Sequence, residues 1–144
     1  MPATGRKPKP EGQAVNRHRP THEWNDVIDV PFEDGPKLPS RQPTGPAWPA
    51  RTKRWWSIIS AMPHCRLWTA SDWEFALDTA QVAAEMHSGN VRVATELRNR
   101  ERVLGTTVDY RRDLRIRYVP PTVEQELDEP ASVSRLDDFR GQFD

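Results

Sequence analysis

Proline placement is the strongest constraint on this chain. Ten of its 14 prolines fall within residues 1–49, three more are Pro120, Pro121 and Pro130, and only Pro63 interrupts residues 50–119. Proline lacks a backbone N–H and breaks helices, so both flanks read as extended or disordered. The chain therefore divides into a Pro-rich N-terminal arm (1–45), a helical core and oligomerisation domain (46–119) and an acidic C-terminal tail (120–144). Hydrophobic residues are only 35% of the sequence, below the ~45–50% usual even when glycine is counted. The missing apolar content belongs to the flanks, because residues 50–119 alone hold four of the six tryptophans: Trp55, Trp56, Trp68 and Trp73. No apolar run approaches the ~18–20 residues of a membrane span, so no membrane contact is expected. The start, MPATGRKPKPEGQ, lacks the apolar stretch of a secretory signal. The single Cys65 cannot form an internal disulfide and suits a reducing compartment.

The core reads as three to four helices, giving an all-α bundle. The first begins near Pro49, a residue suited to a first helical turn. Trp55, Ile58, Ile59 and Met62 are spaced i, i+3, i+4, i+7 on one stripe. The second follows a capping box at Thr69 and Asp72. It has two apolar faces, one of Trp73, Leu77, Ala80 and Ala84 and one of Phe75, Val82 and Met86, so it is expected to be sandwiched. The third runs from an Asn90 cap to a stop at Gly105, with Leu97 and Leu104 facing inward and Glu96 able to pair with Arg100. The fourth, capped by Thr106 and Asp109, is expected to stay helical to about Arg117, although LRIRYV alternates almost as a strand does. Domains near 60 residues bury only ~60% of their unfolded surface and are marginal alone, so self-association is expected.

Chemical motifs are sparse. His64–Cys65 is a poor nucleophile pair, since adjacent side chains seldom converge and cysteine is often simply buried. His18, His22 and Asp26 have metal-like spacing, but nothing completes the site. No phosphate-binding loop of the G-x-x-x-x-G-K-[ST] type occurs. No catalytic residue, metal ligand or cofactor site is assigned.

Charge carries more. The formal net charge is zero, yet the signs are segregated. Residues 1–20 hold five bases and one acid, 21–36 five acids and no base, and 37–54 five bases and no acid. Residues 55–88 hold one base and four acids, 89–119 eight arginines and four acids, and 120–144 two bases and seven acids. Basic blocks suit phosphate, and acidic tails bind proteins or screen basic surfaces. The DNA-binding candidates are Arg6, Lys7, Lys9, Arg17 and Arg19 on the arm, and Arg51, Lys53 and Arg54 on the first helix. Further along they are Arg92, Arg98, Arg102, Arg111, Arg112 and Arg115. The plainer reading of these blocks is a solubilising arm and solvated helix faces. The tryptophans, at helical spacing, read as core rather than as base-stacking platforms.

Several stretches, in order, resemble the small terminase subunit of tailed bacteriophages, in the form found among phages of actinobacteria. They are GRKPKPEGQAVNRHRPTHEW, VIDVPFEDGPKLP, GPAWPARTKRWW, SAMPHC, DWEFALDTA, ATELRNRERVLGTT and DLRIRY, and together they span nearly the whole chain. The resemblance implies a non-enzymatic packaging factor of the host cytoplasm that assembles as a ring-like homo-oligomer. Such a factor recognises double-stranded phage DNA and presents it to the large terminase subunit, which carries the ATPase and nuclease. It also implies a C-terminal segment contacting the large subunit, here with Phe139 and Phe143 as apolar anchors. Many members bind DNA through an N-terminal helix-turn-helix. None is legible before residue 46, which leaves the basic arm and the first and third helices as candidates. A small DNA-binding transcriptional regulator or a minor virion structural adaptor would use the same residues.

Overall fold

A computed structural model describes residues 23–122. Four helices form its body: α1 (Ala50–Ile59), α2 (Ala70–His87), α3 (Ala94–Leu104) and α4 (Val108–Asp113). Short 3₁₀ turns at Pro63–Leu67 and Val91–Val93 precede α2 and α3. The fold is mostly helical, as expected, but not all-α. Strand β1 (Asn25–Ile28) pairs in parallel with β2 (Ile116–Val119), from Asn25 opposite Ile116 to Ile28 opposite Val119. Parallel strands need a long crossover, and here the entire helical body supplies it. The two ends of the described chain are thereby fastened together.

The extension of the fourth helix to Arg117 is corrected. α4 ends at Asp113, Arg115 turns the chain with φ 58°, and β2 begins at Ile116. A six-residue helix has little cooperativity of its own. The alternation in LRIRYV instead matches the period of a strand, and β1 offers it a backbone partner. The α4 cap is also displaced, from Thr106 to Thr107, whose hydroxyl accepts from the Tyr110 N–H at 3.3 Å.

The first helix is rotated from its expected stripe. Thr52, Trp56 and Ile59 are buried on α1, whereas Ile58 is 58% exposed and Trp55 only half-buried. Adjacent tryptophans sit about 100° apart on a helix, so both cannot face the core. The indole that enters is the one whose N–H finds a backbone acceptor: Trp56 Nε1–H donates to the Pro36 carbonyl at 3.0 Å. Trp55 turns toward α3 and donates to Glu101 at 2.9 Å.

Helix α2 lies between α1 and α3, as its two apolar faces imply. Its buried residues are small: Ala76, Thr79, Ala80, Ala83 and Ala84. Small side chains let both neighbours approach closely, while Trp73, Phe75 and Leu77 pack at the flanks. The Asp72 carboxylate accepts from the Thr69 backbone N–H at 2.7 Å, closing the expected cap. Gly105 ends α3 at φ 73°, and Leu97 and Leu104 are buried as expected.

Part of the expected arm packs on this body. Val27, Phe32 and Leu38 of the arm, and Trp48 just after it, are buried or lie against the core. The prolines contribute through their carbonyls, the one backbone hydrogen-bonding group they keep. Pro36 holds Trp56, and Pro39 accepts from Trp48 Nε1–H at 2.9 Å. Gly35 sits in a tight place, where a Cβ would meet the Ser60 carbonyl at 3.0 Å and Trp73 at 3.1 Å and push one of them aside. The tryptophans are chiefly core, with Trp73 ringed by Phe32, Trp56 and Trp68.

Candidate nucleic-acid and partner interface

Two arginine-bearing regions emerge from this fold. The first is the edge built by β1, β2 and α4. Strand alternation sends Arg117 across to Asp26, its register partner, in a two-pronged pair at 2.8 and 3.1 Å. That guanidinium holds the Asp26 carboxyl below its ordinary range. The guanidiniums of Arg115 and Arg117 also lie 5.6 and 6.0 Å from the centre of the Trp24 ring. Arg111 sits 4.8 Å over Tyr118 and donates to the Gly105 carbonyl at 3.1 Å, and Arg102 sits 5.8 Å over Tyr110. Arg112 is 3.8 Å from Asp109. A shallow pocket of about 330 Å³ opens among Trp24, Val108, Arg111, Arg112 and Ile116.

The edge is anchored by His64, which is 1% exposed. Its Nε2 faces the Leu104 carbonyl at 2.7 Å and its Nδ1 faces the Tyr118 hydroxyl at 2.6 Å. A carbonyl can only accept, so Nε2 carries the proton and Nδ1 accepts from Tyr118. Burial first, and then Arg111, lowers the His64 pKa, against the opposing pull of the Leu104 carbonyl. Burial likewise pushes the Tyr118 hydroxyl upward, keeping it a donor. His64 thus ties β2 to the end of α3. Its neighbour Cys65 is fully buried, donates to the Ile59 carbonyl at 3.1 Å, and has its pKa pushed up to about 12. A protonated, enclosed thiol is a packing group and not a nucleophile.

The second region is a groove of about 670 Å³ between α1, the end of α2, and α3. Arg51 and Arg54 rim it, above Trp55, Ile58, Met86 and Leu97. Arg51, Lys53 and Arg54 are exposed and make no ion pair among the described residues. Glu101 also faces the groove, bound to Trp55. His87 accepts from or donates to Thr52 at 2.8 Å, and burial, then Arg51, lowers its pKa.

The fold therefore gathers Arg51 and Arg54 at the groove, and Arg111, Arg112 and Arg115 at the edge, with Arg102 reaching toward it. Arg92 and Arg98 are exposed outside both groups. Arg6, Lys7, Lys9, Arg17, Arg19, Phe139 and Phe143 lie outside the described residues, as do His18 and His22. Among the described residues no cluster of metal-ligating side chains occurs, and no helix is long and apolar enough to cross a membrane. The sequence reading missed Trp24, Arg117 and Tyr118, and read His64 only as a poor partner for a nucleophile. Only the alternation in LRIRYV hinted at them, because their association depends on a strand pair separated by the whole helical body.

A family model described as phage terminase small subunit matches residues 3–144. Comparison with curated proteins and with solved structures gives no match.

Proposed function

The chain belongs to the phage terminase small-subunit family, and from that premise we propose how it serves genome packaging. It assembles as a ring-like homo-oligomer in the host cytoplasm, recognises double-stranded phage DNA and recruits the large terminase subunit. The observation that carries the DNA reading is the edge, where Arg111, Arg112, Arg115 and Arg117 gather around Trp24 and Tyr118. Asp26, Asp29, Asp109 and Asp113 lie on or beside the same elements, which leaves the charges balanced locally. What favours phosphate is geometry. Rings and a carbonyl hold the Arg111, Arg115 and Arg117 guanidiniums in place, so for these little side-chain freedom remains to be lost on binding. Arg6, Lys7, Lys9, Arg17 and Arg19 add sequence-independent attraction from the arm.

Support for self-association comes from apolar side chains left in water. Leu67, Val91, Val103, Val108 and Leu114 are 39–69% exposed among the described residues, and such surface marks contact sites when contiguous. The large subunit is met by the C-terminal segment through Phe139 and Phe143.

The DNA reading is tested with the full chain and duplex DNA over a range of salt. Arg112→Gln with Arg115→Gln should weaken binding and flatten the salt slope by about one unit per lost phosphate contact. An unchanged slope removes the edge from the mechanism. Light scattering tests assembly: a monomer or simple dimer overturns the ring and favours a DNA-binding regulator. Truncation after Val119, which leaves β2 whole, should abolish large-subunit binding.

A further inference from the structure

The groove beside α1 is a poor match to duplex DNA. Phosphate contacts need cations and gain nothing from an apolar floor, yet Trp55, Ile58, Met86 and Leu97 line this one beneath Arg51 and Arg54. Ile58 is 58% exposed there, and Leu97 is 8% exposed at the base. A cationic rim over an apolar floor is the complement of an acidic amphipathic segment, which buries anchors spaced i, i+3, i+7 and leaves its carboxylates to the rim.

The chain contains such a segment. In LDDFRGQFD, Leu136, Phe139 and Phe143 follow that spacing, with Asp137, Asp138 and Asp144 between and beyond them. Residues 123–144 hold seven acids and two bases. Arg51, Lys53 and Arg54 are three cations without an ion pair among the described residues. Glu101 opposes an acidic ligand, but it sits at the α3 wall bound to Trp55, so the α1 wall is the favourable one. Reach is ample. Each residue between Thr122 and Phe139 can span up to ~3.3–3.6 Å when extended. The stretch as a whole therefore reaches well beyond the ~13 Å radius of gyration of a domain of about 100 residues.

We propose that the acidic C-terminal segment docks in the groove between α1 and α3, with Phe139 and Phe143 on its apolar floor and its carboxylates against Arg51 and Arg54. The segment that offers itself to the large subunit is then covered while docked, and its release exposes both the anchors and the α1 cations. This rests on the reading of Phe139 and Phe143 as anchors, but docking itself needs neither DNA nor the large subunit.

The test uses the full chain carrying Phe139→Ser and Phe143→Ser, which leaves the groove open, and a fluorescent synthetic peptide of residues 123–144. No DNA or large subunit is added, so failure of the DNA reading cannot mimic failure here. Saturable binding is expected, weakened about tenfold or more by adding Ile58→Glu and Arg54→Glu. Both positions are exposed, and circular dichroism checks that the fold survives. The chain with its native tail should bind the peptide more weakly than the Ser variant, because its own segment competes. No saturable binding, or binding indifferent to the groove substitutions, overturns the proposal. Groove substitutions that change particle mass while peptide binding persists assign the groove to a second copy and overturn it as well.

Discussion

The edge and the groove are both rich in arginine, yet they treat it in opposite ways. At the edge each guanidinium has a partner: Arg117 a carboxylate and a ring, Arg111 a carbonyl and a ring, and Arg115 the Trp24 face. On α1 the cations stand without an ion pair among the described residues, beside apolar side chains. Arginine content alone therefore says little about use. Held guanidiniums present a fixed pattern, whereas loose ones beside an apolar floor accommodate a ligand that brings its own carboxylates.

Removing the edge's anchor should disturb this contrast most. His64→Ala empties a buried site and strips Tyr118 and the Leu104 carbonyl of their partner. The expected loss is about 3–5 kcal/mol in denaturant unfolding. A loss under about 1 kcal/mol would mean that the strand pair holds without it. Next is a crossed experiment. Neutralising Arg112 and Arg115 should lower the DNA salt slope by about two units, and neutralising Arg51, Lys53 and Arg54 should lower it less. The reverse order would transfer DNA binding to α1. Smaller again is Trp24→Ala, which removes the ring beneath Arg115 and Arg117. Cation–π contacts at exposed sites are worth ~0.5–1 kcal/mol, so DNA affinity should fall several-fold with the fold intact by circular dichroism.

Acidity separates the regions in turn. His64 and His87 have folded pKa values below their ordinary 6.5. The unfolded chain therefore binds more protons in that window, and stability should be complete above it and decline as pH falls below 6.5 toward the folded values. His64→Gln should flatten much of that decline in unfolding curves recorded across pH. The smallest effect is Asp26→Asn. The Asp26 pKa is lowered from 3.8, chiefly by its hydrogen bond to Arg117. Its contribution is present above 3.8 and lost as pH falls through the folded value. The variant should lose that small contribution near neutrality, match the parent protein at low pH, and show a flatter decline below 3.8.

Much of the helical body was legible in the sequence because it depends on local rules. The Thr69–Asp72 cap, the Gly105 stop and the inward Leu97 and Leu104 all follow from residues within a few positions of one another. The candidate site was half legible: arginines could be counted, but not assigned to an edge or a groove. Trp55 and Trp56 show the limit. Periodicity favoured Trp55, yet the choice went to Trp56 because a distant proline carbonyl could satisfy its N–H.

Where α2 starts and α3 stops, where charge is segregated, and which stretches carry the terminase small-subunit pattern are all written in the linear chain. Each is a property of neighbouring residues. It took long-range packing to make IRYV a strand, to set Arg115 and Arg117 beside Trp24, and to let His64 join α3 to β2. The cause is the parallel pairing of β1 with β2. Its hydrogen bonds join residues about ninety positions apart, and no local pattern encodes a partner that distant.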